Sequence, residues 1–193
     1  MSDESYVELD ELHDWQYVEL LLEHKLKAPV IYSNASSIKL FLTDVDGVLT
    51  DAGMYYSETG DELKKFNTRN GKAFELLRNV GIKTGIITAQ NTKIVERRAR
   101  KIKSDYLYQG VKDKVIVLRD LIKTSGISPS EIAYIGDDLN DLGIIGLVGL
   151  SACPSDAVRE VKEKVNIVLK STGGEGAVRE FAEWILPGGN EDQ

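Results

Sequence analysis

The chain has 193 residues, a hydrophobic fraction of 42% and a net charge of −7. This size and composition are typical of one soluble domain with a full core, and an acidic chain without a concentrated basic surface argues against nucleic-acid binding. The single cysteine, Cys153, excludes an internal disulfide and is typical of a reducing compartment. The longest uncharged apolar run, residues 142–153, is too short to cross a membrane, and the acidic N-terminus lacks the pattern of a secretory signal. We therefore expect a cytoplasmic protein that binds neither nucleic acid nor membrane.

The first part of the chain predicts a helix followed by a linker. Apolar residues recur at about helical spacing between Leu9 and Leu22, with charges between them, which predicts a helix over 8–26. Residues 27–37 contain a proline and several small polar residues, as linkers do. We therefore expect a helical extension and linker over 1–37, a main domain over 38–186 and a disordered tail over 187–193.

The main domain alternates predicted strands with predicted helices. Strands are expected at 40–44, 83–88, 106–108, 132–135, 148–151 and 165–169, and helices at 70–80, 91–103, 112–124, after 141, from 156 and at 177–186. Residues 54–56 and 62–66 flank a Gly-containing loop and predict a hairpin. This alternation predicts an α/β, Rossmann-like parallel sheet with helices on both faces and a small hairpin insertion.

Two carboxylates follow the first strand of this sheet. Asp44 and Asp46 lie two apart, so in an extended chain they share a face and repel each other unless a cation is present. A hard divalent ion such as Mg²⁺ suits oxygen ligands, and Gly47 permits a sharp turn beside it. Calcium binding of the EF-hand type is disfavoured, because Leu49 and Tyr55 occupy the positions that need Gly and Glu. Taken alone, this motif fits a solvated acidic turn equally well.

Polar residues also follow two other strands, with Thr88 after one and Asp137 and Asp138 after another. Ligands of parallel α/β sheets bind beyond the carboxyl ends of the strands, where the strand order reverses. Thr88 alone, or an acidic turn alone, does not indicate a site. Polar residues at the ends of three separate strands together predict one site.

A phosphate monoester would need this set of groups, because its uncatalysed hydrolysis is among the slowest reactions known. A carboxylate nucleophile, Asp44, divides the reaction into two displacements. Mg²⁺ between Asp44 and Asp137, together with Lys114 near a helix N-terminus, would hold the two anions together. Thr88 would donate a hydrogen bond, and Asp46 would protonate the leaving group and then deprotonate water.

The order of these motifs resembles that of the haloacid dehalogenase superfamily over about residues 38–186. Within it, the chain looks closest to phosphatases of sugar-acid biosynthesis, which act on 3-deoxy-octulosonate 8-phosphate and nonulosonate 9-phosphates. The matching segments are Asp44-Val45-Asp46-Gly47, Lys65-Phe66-Asn67, Thr88, Tyr108-Gln109-Gly110, Asp113-Lys114, Gly136-Asp137-Asp138-Leu139-Asn140-Asp141 and Gly173-Gly174-Glu175-Gly176-Ala177-Val178-Arg179-Glu180.

The resemblance implies roles for individual residues. It implies Asp44 as nucleophile, Asp46 as acid/base with a main-chain carbonyl on Mg²⁺, and Asp137 as a metal ligand supported by Asp138 and Asp141. It also implies a homotetramer, in which we expect the hairpins to pair and the loop at 173–176 to reach a neighbouring site. The residues expected to contact substrate are Arg69, Asn70, Ala89, Gln90 and Lys101.

Departures from the family pattern concern the substrate. Many relatives have Asp where Asn70 stands, and a charged residue where Gln90 follows Ala89. Residues 8–15 resemble the C-terminal end of an acylneuraminate cytidylyltransferase, which implies a fused or former cytidylyltransferase partner. The departures at Asn70 and Gln90 leave the substrate open. The cytidylyltransferase-like segment favours a nonulosonate 9-phosphate, such as KDN-9-P or Neu5Ac-9-P, over the alternative, 3-deoxy-D-manno-octulosonate 8-phosphate.

Two functions of other classes stay open. A phospho-accepting receiver domain also uses an acidic cluster, a Thr and a Lys, but its acceptor Asp follows the third strand, where this chain has Ile86-Ile87-Thr88. A catalytically silent oligomerisation domain, such as animal sialic-acid synthetases carry, would have lost catalytic residues, whereas this chain retains Asp44 and Lys114.

Overall fold

The computed structural model of this chain describes residues 37–59 and 62–187. The predicted helix over 8–26, the cytidylyltransferase-like segment within it and the predicted tail beyond Pro187 lie outside the described residues. In the part described, no helix is both long and apolar enough to cross a membrane.

The described part alternates strands and helices in the predicted order. The strands are β1 (Leu40–Thr43), β2 (Tyr55–Tyr56), β3 (Glu62–Leu63), β4 (Lys83–Ile87), β5 (Tyr106–Tyr108), β6 (Ile132–Ile135), β7 (Leu150–Cys153) and β8 (Ile167–Val168). The helices are α1 (Thr68–Asn79), α2 (Lys93–Ile102), α3 (Lys114–Ser125), α4 (Leu142–Ile145), α5 (Arg159–Lys162) and α6 (Ala177–Ile185), with 3₁₀ turns at Pro129–Glu131 and Leu139–Asp141.

Six of the strands form one parallel sheet in the order β5-β4-β1-β6-β7-β8. Every residue of β1 is buried, as in a central strand covered on both faces. Phe41 packs against Phe74 of α1 and Phe181 of α6. Its neighbours Leu40 and Leu42 join a cluster with residues of α3, α4 and α5. Because side chains alternate along a strand, these contacts place helices on both faces, which confirms the predicted fold class.

The remaining two strands, β2 and β3, form a separate antiparallel hairpin. The paired side chains of Tyr55 and Leu63 are 60% and 65% exposed, and Tyr56 is 69% exposed. The insertion predicted after Asp51 is therefore a small hairpin with large apolar side chains at its surface.

Some predicted boundaries shift by a few residues. The strand expected at 148–151 runs over Leu150–Cys153, because the amide of Val148 bonds to Ile144 O and extends the preceding turn. The helix expected from residue 156 begins at Arg159, and the strand expected at 165–169 is limited to Ile167–Val168.

The glycine-rich loop before α6 packs on the loop that follows β1. The amide of Gly174 donates to Val48 O at 3.0 Å. A Cβ built on Gly173 would lie 2.0 Å from Gly47 O, so only glycine fits there. Residues 173–174 thus hold the backbone of the loop at 47–51, which directly follows the first acidic motif.

Candidate active site

The predicted site residues follow three neighbouring strands at one edge of the sheet. β1 lies between β4 and β6, so the chain order reverses across it. Asp44 continues the ladder, with its amide donating to Ile135 O at 3.0 Å, and the amide of Thr88 donates to Tyr108 O at 2.9 Å. These carboxyl ends form the reversal point at which α/β sheets bind their ligands.

Three carboxylates meet at this edge around one lysine. Oxygens of Asp44, Asp137 and Asp141 lie within 4.8 Å of one another. Lys114 Nζ lies 2.7 Å from Asp44 Oδ2 and 2.6 Å from Asp141 Oδ1. Lys114 is the first residue of α3, where a positive charge opposes the helix dipole. The carboxylates, rather than the helix, therefore account for a lysine at this buried position.

Asp141 organises the cluster through four hydrogen bonds. Its Oδ1 accepts from Lys114 and, at 2.5 Å, from the hydroxyl of Tyr134. Its Oδ2 accepts from the amides of Asp137 and Asp138 at 2.9 and 3.2 Å. With both oxygens engaged, Asp141 holds the turn after β6 and orients Lys114.

The cluster contains three carboxylates and one ammonium, and this imbalance, together with burial, shifts the pKa values of Asp137, Asp44 and Lys114. Burial, with the charges of Asp44 and Asp141 added, raises the pKa of Asp137 to about 8. Burial also raises the pKa of Asp44 to about 6, although Lys114 acts in the opposite direction. Burial alone would lower the pKa of Lys114, but Asp44 and Asp141 outweigh it and raise that pKa. The protonated lysine thus leaves net negative charge that a further cation would neutralise.

The structure around Asp137 fits such a cation. Asp137 Oδ1 is buried without a hydrogen-bond partner, which is costly for an acceptor unless a ligand is bound. Gly47 has φ +78°, and a Cβ there would lie 1.9 Å from Asp137 Oδ2. The glycine therefore allows the loop after β1 to approach this carboxylate. Asp44 and Asp137 are the oxygen donors best placed to hold a hard divalent ion such as Mg²⁺.

The side chain of Asp46 is not one of the three carboxylates of this cluster and has other partners. It forms a short ion pair with Lys64, which follows β3, and its Oδ1 lies 3.5 Å from Thr50 Oγ1. Asp141, rather than Asp46, is thus the third side-chain carboxylate at the centre. Metal binding by the Asp46 main-chain carbonyl stays a prediction.

Thr88 is buried, and its Oγ1 accepts from the Gln90 amide at 3.2 Å, which leaves the hydroxyl proton available to a ligand. Ala89 is exposed and Gln90 half-buried directly after it. This part of the predicted set therefore lies at the same edge as Asp44.

The other expected substrate residues are placed differently. Arg69 and Lys101 are exposed and line separate surface cavities, of about 460 and 550 Å³. Asn70 has no exposed surface, and its Oδ1 accepts from the Arg179 amide at 3.4 Å. Asn70 thus connects α1 to α6 from within, and this placement gives no support to its expected contact with substrate.

Sequence reasoning missed two residues of the site. Tyr134 reads as an ordinary core residue of β6, although it lies two residues before Gly136, so its hydroxyl contact with Asp141 depends on packing. Lys64 precedes the matched segment at 65–67. Lys64 and Lys65 are adjacent within the predicted strand at 62–66, where successive side chains face opposite ways, which is a signal that one lysine faces inward.

The chain is similar to known phosphatases. Residues 107–181 match the family described as haloacid dehalogenase-like hydrolase. A 3-deoxy-D-manno-octulosonate 8-phosphate phosphatase from Yersinia pestis is 39% identical over 156 residues, which cover 81% of this chain and 83% of that protein.

Solved structures extend this similarity to the fold. A probable YrbI family phosphatase from Pseudomonas syringae is 42% identical with a TM-score of 0.80, covering 82% of this chain and 90% of its own. The octulosonate 8-phosphate phosphatase from Moraxella catarrhalis, solved with magnesium, phosphate and KDO, is 38% identical with a TM-score of 0.79, covering 81% and 90%. The chain therefore belongs to the haloacid dehalogenase-like hydrolases, within the family that includes the 3-deoxy-D-manno-octulosonate 8-phosphate phosphatases.

Proposed function

We propose that this chain is a Mg²⁺-dependent phosphomonoesterase that hydrolyses a sugar-acid phosphate through an aspartyl-phosphate on Asp44. The observation that carries the proposal is the buried cluster of Asp44, Asp137 and Asp141 around Lys114. A carboxylate nucleophile, an excess of negative charge that calls for a cation, and a fixed ammonium together suit the transfer of an anionic phosphoryl group.

In the first step, a carboxylate oxygen of Asp44 attacks phosphorus while the bond from phosphorus to the ester oxygen breaks. The leaving alkoxide takes a proton from Asp46. Lys114 holds Asp44 in place, and Thr88 donates its hydroxyl hydrogen to a phosphate oxygen. Asp44 and Asp137 would hold Mg²⁺, which would supply positive charge that offsets the repulsion between nucleophile and phosphate.

In the second step, water attacks the phosphorus of the aspartyl-phosphate and gives its proton to Asp46. The bond between phosphorus and Asp44 breaks, which releases inorganic phosphate and restores both carboxylates to their starting states. Asp46 is suited to this double role because its side chain is not part of the carboxylate cluster of Asp44, Asp137 and Asp141 and remains partly exposed.

The substrate that we favour is 3-deoxy-D-manno-octulosonate 8-phosphate, because relatives of that name align over more than four fifths of both chains. A nonulosonate 9-phosphate, such as KDN-9-P or Neu5Ac-9-P, is the second candidate. It is favoured by the resemblance of residues 8–15 to the C-terminal end of an acylneuraminate cytidylyltransferase, an enzyme that acts on a nonulosonate.

Phosphate release from a panel of both sugar-acid phosphates, measured with Mg²⁺ and with EDTA, tests the proposal. We expect Mg²⁺-dependent release with the highest kcat/KM on the 8-phosphate. Preference for a 9-phosphate would overturn the substrate assignment alone. Failure to release phosphate from any sugar-acid phosphate would favour a silent oligomerisation domain.

The titration of Asp137 predicts how Mg²⁺ binding depends on pH. In the metal-free protein its pKa is about 8, well above the ordinary 3.8, so the folded state holds an extra proton between about pH 4 and 8. The free energy of unfolding therefore falls as pH rises through this window. Mg²⁺ must displace that proton, so its apparent affinity should rise about tenfold per pH unit from 6 to 8.

Calorimetric titration with Mg²⁺ in two buffers of different ionisation enthalpy measures both the affinity and the proton released. Asp137→Asn should remove the released proton together with most of the affinity. An affinity for Mg²⁺ that does not change between pH 6 and 8 would contradict the prediction.

We also propose a homotetramer, in which exposed hairpins of neighbouring copies pack on one another. Tyr55 and Leu63 lie opposite each other on one face of the hairpin and are both largely exposed. Large apolar side chains grouped in this way are typical of interaction surfaces. The hairpin is too small to cover a substrate alone, so a neighbouring copy would complete the enclosure that excludes water.

The double variant Tyr55→Lys/Leu63→Lys should shift the protein from tetramer towards monomer in light scattering and lower kcat/KM. Val80→Lys, which changes an exposed apolar residue at the end of α1, is the matched control and should remain assembled. An assembled double variant would rule out the hairpin as the interface.

A further inference from the structure

Lys64 has a buried side chain next to the proposed acid/base. It follows β3 directly, and its side chain is fully buried, whereas that of Asp46 is 29% exposed. The Nζ of Lys64 forms a short ion pair with Asp46 Oδ1. Lysine is rarely buried completely, so its ion pair with a partly exposed carboxylate at this edge of the sheet calls for an explanation.

The adjacent lysine shows what an ordinary ion pair on this segment looks like. The side chain of Lys65 is 55% exposed and lies 2.5 Å from Glu175 and 3.8 Å from Asp51. Such surface pairs contribute little to stability. Successive residues of an extended segment face opposite ways, so Lys65 binds Glu175 of the glycine-rich loop while Lys64 binds Asp46.

We propose that Lys64 is the positioning residue for Asp46: it fixes the carboxylate through Oδ1 and leaves Oδ2 to exchange the proton. This inference rests on the proposed function, in which Asp46 serves both steps. Thr50 also approaches Oδ1, at 3.5 Å, so both contacts engage the same oxygen. A carboxylate held at one oxygen presents the other in one orientation, as efficient proton transfer requires.

The first step depends on the positioning of Asp46 for an alkyl ester but not for p-nitrophenyl phosphate, whereas the second step depends on it for both. An alkyl ester leaves as a strongly basic alkoxide, so its departure needs the proton from Asp46 Oδ2. The p-nitrophenolate of p-nitrophenyl phosphate is a weak base and leaves without that proton. Hydrolysis of the aspartyl-phosphate needs Asp46 as base in both cases, because the attacking water must lose a proton to it.

The experiment compares Lys64→Met with Lys65→Met on two esters, the best sugar-acid phosphate and p-nitrophenyl phosphate. For Lys64→Met we expect kcat/KM on the sugar-acid phosphate to fall about 10- to 100-fold. On p-nitrophenyl phosphate kcat/KM should stay within about threefold, because it reports only the steps through loss of the leaving group. Turnover of that ester should instead begin with a burst of one p-nitrophenolate per site, followed by a slower steady rate.

Equal losses of kcat/KM on both esters, or no loss on either, would overturn the inference. Lys65→Met should show neither the selective loss nor the burst. Thermal melting, and the shift of the melting temperature on adding Mg²⁺, establish that Lys64→Met is folded. Lys64→Gln, which keeps an uncharged hydrogen-bond donor, is a second variant. It should show the same selective loss and burst with smaller amplitude.

Asp46→Asn separates failure of this inference from failure of the proposed function. If Asp46→Asn shows the selective loss and Lys64→Met does not, Asp46 is the acid/base and the positioning role of Lys64 is wrong. If Asp46→Asn itself lacks the selective loss, the proposed role of Asp46 is wrong as well. Absence of phosphatase activity in the unmodified protein would overturn the function itself.

Discussion

Asp44→Asn should lower kcat for phosphate release by at least about 10⁴-fold, because the uncharged amide is a poor nucleophile towards phosphorus. The substitution keeps the shape of the side chain. It also removes one negative charge from a buried cluster in which three carboxylates surround a single ammonium. We therefore expect the metal-free variant to be at least as stable as the unmodified protein. Release of inorganic phosphate in single and multiple turnovers, together with thermal melting, measures both effects.

The control for Asp44→Asn is Asp120→Asn, which changes an exposed carboxylate on α3 and should leave kcat unchanged. The phosphorylated intermediate supplies an independent check. A rapid acid quench during turnover of labelled substrate should trap phosphate on the unmodified chain and none on Asp44→Asn. Trapped phosphate on the variant would assign the nucleophile to another residue.

Lys114→Met should cost about 3–5 kcal/mol of unfolding free energy and lower the melting temperature by about 10 °C. The lysine side chain is 1% exposed and is the ammonium that contacts both Asp44 and Asp141. Methionine fills most of its volume, so the loss comes from two buried carboxylates left without their partner. Activity should fall as well, because the nucleophile loses the contact that holds it.

The pH dependence distinguishes this electrostatic origin from a packing defect. Without the ammonium, the pKa of Asp44 should rise further, so the folded variant takes up protons as pH falls and regains stability between about pH 8 and 5. Lys123→Met, on an exposed position of the same helix, should melt like the unmodified protein at every pH. A loss in Lys114→Met that stays constant across this range would mean that packing, not charge, is responsible.

The sheet, and the placement of the candidate site residues at its strand ends, could be predicted because local patterns determine them. A fully buried apolar run followed by Asp44 predicts a central strand with its functional residue at the carboxyl end. The same logic applies to Thr88 and Asp137, since parallel strands align their ends. These predictions needed only the alternation of strands and helices, which short-range periodicity reveals.

The remaining parts of the site depend on contacts between distant segments. Asp141 looked like a supporting residue, yet it bonds Lys114, Tyr134 and two amides because the turn after β6 folds back over Gly136. Asn70, at the start of a predicted helix, was expected to contact substrate, but it is buried and accepts a hydrogen bond from the Arg179 amide of α6. The pairing of Lys64 with Asp46 depends on how the hairpin returns to the sheet, which periodicity does not specify.

The contact of residues 173–174 with the loop at 47–51 has a consequence for biosynthesis. The proposed nucleophile, Asp44, is made early, but the backbone of the loop that follows it is held by a segment made more than 120 residues later. While the chain emerges from the ribosome, the loop at 47–51 therefore lacks this contact until residues 173–174 have been translated. Premature termination before residue 174 would yield a product that contains the acidic motifs but in which the loop at 47–51 lacks its supporting contacts.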